Sequence, residues 1–102
     1  MSQWHDVIGL EELPPQGFKA LEINGTPILV GRVHHQVFAC LDRCPHAGAP
    51  LRIGKLRGEE LQCSRHGWIF NVVTGQCVPN DPSCHLATVA TKIEGSRVHV
   101  EL

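Results

Sequence analysis

The sequence predicts an all-β chain, an antiparallel sandwich or small barrel. Three observations predict it. Short runs alternating apolar and polar residues recur along the 102 residues, the two-residue period of a half-buried strand. Turn signals such as Asn24-Gly25, Thr74-Gly75 and Glu94-Gly95-Ser96 separate the runs. No stretch of any length carries the 3.6-residue period of a helix.

Trp4 to Ile8 reads as an entry strand, followed by a polar turn where Pro14, Pro15 and Gly17 break regular structure. Phe18 to Ile23 alternates and leads into Asn24-Gly25, whose residues both tolerate positive φ. Thr26 to Val33 returns, with Pro27 near its start, where a missing N–H matters least. His34-His35 marks the next turn, and Gln36 to Leu41 the next strand. Pro50, Gly54 and Gly58 indicate loops around a short strand, and Glu60 to Gln62 another strand. Trp68 to Val73 ends at the turn Thr74-Gly75, and residues 78–83 form a proline-rich loop. Leu86 to Ile93 and Arg97 to Val100 then pair across Glu94-Gly95-Ser96. No repeat or low-complexity tract interrupts this order.

The length suits one domain with a modest core. A net charge of −1 argues against nucleic-acid or membrane-surface binding. Met1 to Asp6 has no basic region before an apolar run, and no segment is long enough to span a bilayer, so the expected location is the cytoplasm. Five cysteines cannot all pair within one chain, and clustered Cys and His at short spacing point to metal instead.

Those residues fall in two boxes. The first reads Cys44-Pro45-His46-Ala47-Gly48 and the second Cys63-Ser64-Arg65-His66-Gly67-Trp68, with sixteen residues between His46 and Cys63. Structural zinc accepts two Cys and two His, but normally as a Cys pair followed by a His pair. A four-cysteine cluster drawn from Cys40, Cys44, Cys63 and Cys77 matches neither usual ferredoxin spacing. A [2Fe–2S] cluster with two thiolates on one iron and two imidazoles on the other fits Cys44, His46, Cys63 and His66 as they stand. Neutral imidazoles in place of two thiolates raise the potential to roughly −150 to +300 mV, against about −400 mV with four thiolates.

This pattern resembles the Rieske family. Cys44 to Leu51 and Cys63 to Phe70 are similar to its two cluster-binding loops, and Thr74-Gly75 and the loop near Pro79 to Pro82 also resemble family features. The resemblance covers nearly the whole chain. It implies an antiparallel β sandwich with a small cluster-binding subdomain, at about residues 42–71. It implies one cluster per chain, Cys44 and Cys63 on the buried iron, and His46 and His66 on the outer iron. High-potential members carry an extra Cys in each loop, which form a disulfide; Ala49 and Arg65 occupy those positions here. They also place Ser and Tyr hydroxyls near the cluster sulfurs, where this chain has Trp68 and Phe70. Hydrogen bonds to cluster sulfurs tune the potential, so the expected value lies near the bottom of the range, about −150 mV.

A low potential suits delivery from an NAD(P)H-dependent flavin reductase to a terminal iron oxygenase of an aromatic-ring dioxygenase system. No spacing among His5, His34, His35, His85 and His99 with Asp81 or Glu94 supports the two-His, one-carboxylate site of an oxygenase, so no catalytic residue is expected. Two further readings stand beside the dioxygenase one. Asn80 to Leu86 is similar to a loop in ferredoxins of diiron aromatic monooxygenases, and the small subunit of assimilatory nitrite reductase has a Rieske-like fold of similar size.

Cys40, Cys77 and Cys84 read as small buried hydrophobes, His34-His35 as an exposed turn, and Trp68 as packing under the second loop. His85 lies in the third loop, near the expected cluster. Arg43, Arg52, Lys55, Arg57 and Arg65 are five of the nine basic residues, opposed there only by Glu59 and Glu60. They read either as solvated surface or as a basic collar steering the tip to acidic faces.

Overall fold

The computed structural model describes residues 2–45, 48–64, 67–78 and 84–102. The chain runs β1 (Trp4–Gly9), a 3₁₀ turn (Leu10–Glu12), β2 (Gly17–Ile23), β3 (Thr26–Val33), β4 (Gln36–Leu41), β5 (Lys55–Arg57), β6 (Glu60–Gln62), β7 (Ile69–Asn71), β8 (Cys77–Val78), β9 (Thr91–Glu94) and β10 (Arg97–Glu101). All these strands pair antiparallel, in three sheets ordered β1-β10-β9, β2-β3-β4 and β5-β6-β7-β8. The predicted all-β fold is what forms.

The β2-β3-β4 sheet lies between two cores. Strand β3 is nearly continuous in apolar residues because both its faces are covered. Ile28 and Val30 join Ile8, Val98 and Val100 in one core. Leu29 and Val33 join Leu61, Phe70 and Val72 in the other. Strand β4 divides the same way, with Ala39 in the first core and Phe38 and Cys40 in the second. A register slip of one residue would exchange the two faces, so two buried faces specify the pairing strongly. Two-residue turns hold that register: Asn24-Gly25 at φ 50° and 83°, and His34-His35 at φ 48° and 65°. Both histidines are exposed, as their turn position predicts.

Two predicted strands are shorter than expected. The strand expected from Trp68 to Val73 is only Ile69–Asn71. The Asn71 side chain ends it: its Oδ1 accepts from the backbone N–H of Val73 (2.8 Å) and Thr74 (3.0 Å), turning the chain at once. The strand expected from Leu86 to Ile93 is only Thr91–Glu94. Before Thr91 the chain crosses between sheets. The Leu86 N–H donates to Gly75 O, the Leu41 N–H to Ala87 O and the Val89 N–H to Ala39 O. That crossing covers the free edge of β4 with an isolated bridge, Cys40 to Thr88, in place of a ladder. Among the described residues no helix is long and apolar enough to cross a membrane.

Candidate metal centre

Cys44 and Cys63 are both fully buried and belong to the same core. Each heads a loop with the same backbone bonding. In the first, the Cys44 N–H donates to Ala49 O (2.8 Å) and the Gly48 N–H to Cys44 O (2.8 Å). In the second, the Cys63 N–H donates to Trp68 O (2.7 Å) and the Gly67 N–H to Cys63 O (3.1 Å). Gly48 and Gly67 hold equivalent places at φ 70° and 69°, in the left-handed region that glycine enters without penalty. The chain has therefore built one turn twice, with a thiol at the head of each copy. A shallow cleft lined by Ile53, Lys55, Gln62, Ser64 and Gly67 opens beside Cys63. His46, His66 and Arg65 lie outside the described residues. Two buried thiols heading matched loops fit the sulfur-ligated side of a [2Fe–2S] cluster.

Residues 3–90 match the Rieske [2Fe-2S] domain family. The chain belongs to this family. It is 29% identical over 100 residues to the ferredoxin component of the naphthalene 1,2-dioxygenase system of Pseudomonas aeruginosa, covering 98% of this chain and 96% of that protein. The ferredoxin of carbazole 1,9a-dioxygenase from Nocardioides aromaticivorans IC177 superposes with a TM-score of 0.84 at 27% identity, covering 96% of each chain. A chain from the complex of reduced oxygenase and oxidised ferredoxin in carbazole 1,9a-dioxygenase superposes with a TM-score of 0.83 at 30% identity, covering 95% of this chain and 91% of that one.

Of the positions singled out for lacking hydroxyls and cysteines, Ala49, Trp68 and Phe70 are apolar and packed. Phe70 is fully buried and Ala49 nearly so, both in the core that holds Cys44 and Cys63. Trp68 packs against that core half-buried, as expected of a residue under the second loop. Cys40, on β4, is buried in the same core. Burial, helped by the negative charge of Asp42, pushes its thiol up from 9.0 to about 12. Cys40 is thus a protonated core residue, as its lack of motif predicts.

The expectation for Cys77 and Cys84 needs correction. They form a disulfide, with Cα atoms 6.0 Å apart and a sequence separation of 7. The Gln76–His85 bridge and the bond from the Leu86 N–H to Gly75 O bring their flanks together. Nothing in the sequence distinguishes this pair, since connectivity does not follow from cysteine spacing and the expectation of a cytoplasmic location argues against disulfides. The expected loop residues Pro79 to Ser83 lie outside the described residues. His85 is exposed, and its Nδ1 lies 2.8 Å from Leu86 O. His5 and His99 belong to β1 and β10, in another sheet, where His99 Nε2 lies 3.7 Å from Glu94.

Asp42 escaped the sequence reading. Its carboxylate is buried two residues before Cys44 and accepts three hydrogen bonds. Oδ1 accepts from the backbone N–H of Leu51 (2.7 Å) and Arg52 (2.9 Å), and Oδ2 from Arg52 Nη1 (2.8 Å). Arg52 is therefore committed inward, whereas Arg43, Lys55 and Arg57 are exposed and make no ion pair among the described residues.

Proposed function

We propose that this chain is a one-electron carrier, taking electrons from an NAD(P)H-dependent flavin reductase and delivering them to the terminal iron oxygenase of an aromatic-ring dioxygenase system. The observation that carries this reading is the pair of matched, thiol-headed loops on a small β scaffold. The names and near-equal lengths of relatives such as the naphthalene 1,2-dioxygenase ferredoxin component support it. Cys44 and Cys63 would hold one iron, and His46 and His66 the other, of a single cluster per chain. Residues 42–71 would form the cluster-binding subdomain, with the cytoplasm as its compartment.

When bound, a Rieske cluster takes up and releases one electron at roughly −150 to +300 mV. The chain's own residues supply position and environment. The backbone bonds of the two loops fix where the Cys44 and Cys63 sulfurs sit. Phe70 and Trp68 offer no hydroxyl, which favours the low end of that range. Arg43, Lys55 and Arg57, joined by Arg65, give the loop end the basic character that steers it to acidic partner faces.

The test uses the purified chain with the reductase and oxygenase of its source. NADH should reduce it only when the flavin reductase is present. The oxygenase with aromatic substrate should then reoxidise it, and both rates should fall as salt rises. Oxygen consumption by the chain alone with substrate, or permanent attachment to a large reductase, would overturn the carrier reading. Salt-independent rates in both steps would remove the steering role of the basic residues.

A further inference from the structure

The two loops share a turn but not a root. The Cys63 loop is the connection of a hairpin, since Gln62 and Ile69 on either side of it are paired partners of β6 and β7. A strand ladder therefore fixes both of its ends. The Cys44 loop leaves β4 in one sheet and reaches β5 in another, so no ladder joins its ends. At that place stands Asp42. Its own N–H donates to Pro27 O (3.0 Å), anchoring it to the β2-β3-β4 sheet. Its carboxylate gathers the far end of the loop through the N–H groups of Leu51 and Arg52 and the Arg52 guanidinium. The Gly54 N–H donates to Leu51 O (2.9 Å), which closes the turn beyond.

We propose that Asp42 and Arg52 are a positioning pair that does for the Cys44 loop what strand pairing does for the Cys63 loop. The carboxylate is the right group for this task. It accepts several hydrogen bonds at once, and bonds to a charged acceptor are about twice as strong as neutral ones. A buried carboxylate needs a counter-charge, and Arg52 supplies it from the surface with its side chain half exposed. The pair acts through the backbone that carries Cys44. The inference rests on the Cys44 loop being a ligand loop, and its test separates the two ideas.

Hydrogen exchange on the protein as purified with its cluster, followed by mass spectrometry, reads the root of each loop. Asp42→Ala should speed exchange in peptides covering 42–54 by about 10- to 100-fold, the range expected for hydrogen bonds to a charged group. Peptides covering 60–71 should keep the wild-type rate. Release of iron to a chelator should accelerate similarly. Val98→Ala, in the other core, is the control for general destabilisation and should not produce this contrast. Arg52→Lys keeps the counter-charge and should recover most of the protection, whereas Arg52→Gln should not. If Asp42→Ala does not fold, the isosteric Asp42→Asn should give a smaller rise confined to the same peptides. Unchanged exchange in 42–54, equal acceleration in both loops, or iron release that tracks only global stability would overturn the proposal. A protein that binds no cluster yet shows the exchange contrast would keep the positioning pair and remove the carrier reading.

Discussion

The Cys44 and Cys63 loops differ in what surrounds them, although their internal bonding is the same. Each has two backbone bonds that close on the cysteine and a glycine near φ 70°. The local turn follows from residue pattern: a cysteine, three residues, then a glycine free to turn left-handed. The root follows from topology. Where the flanking strands pair, the ladder holds the loop; where they belong to different sheets, a buried carboxylate and its arginine hold it. A repeated local device can thus be set on unequal supports.

The largest expected effect tests the equivalence of the loops. Cys44→Ser and Cys63→Ser should each abolish incorporation of the cluster, read as loss of iron and of visible absorption. Full retention in either variant would break the symmetry between the loops.

The disulfide is a third, covalent root, joining the two ends of the segment that follows β8. By loop-closure entropy, removing it with Cys77→Ser and Cys84→Ser together should cost about 2.5 kcal/mol. Denaturant unfolding with and without reductant measures this. Equal stability under both conditions would show that hydrogen bonds alone root that segment.

Glycine replacement sharpens the loop comparison further. A Cβ on Gly48 or Gly67 would come no closer than 4.0 Å or 3.5 Å to neighbouring atoms, so the cost of alanine is conformational. Gly48→Ala and Gly67→Ala should each lose about 1–2 kcal/mol, and by similar amounts. A much larger loss at one site would mean that the turns are not equivalent.

An effect confined to alkaline pH separates a core thiol from the loop thiols. Cys40 titrates near 9.0 when unfolded and near 12 when folded. Below pH 9 both states are protonated and its contribution to stability is complete. As pH rises from about 9 to 12 only the unfolded state ionises, so stability falls, by about 1.4 kcal/mol per unit at most. Cys40→Ala should flatten that slope in denaturation curves taken across the window; an unchanged slope would assign it to other groups.

Much of this molecule was readable beforehand. Strands β3 and β4 fall at the expected residues because Asn24-Gly25 and the exposed His34-His35 fix both ends of a run buried on two faces. The family was readable because the two boxes combine rare residue types, Cys and His, at short spacing. Other features depend on distances that spacing does not encode. Asp42 resembles an ordinary turn residue until the chain brings Leu51 and Arg52 back to it. The Cys77–Cys84 bridge requires the Gln76–His85 approach. Leu86 to Ala90 alternates like a strand, but crosses between two sheets too quickly to form one.

The central claim is a cluster held by two thiolates and two imidazoles from the matched loops. Pulsed electron paramagnetic resonance on the reduced protein, with nitrogen-15 in its histidines only, tests it most directly. The account predicts two strongly coupled imidazole nitrogens and the loss of one in each of His46→Cys and His66→Cys. A signal with no coupled imidazole nitrogen, or couplings untouched by both substitutions, would contradict it.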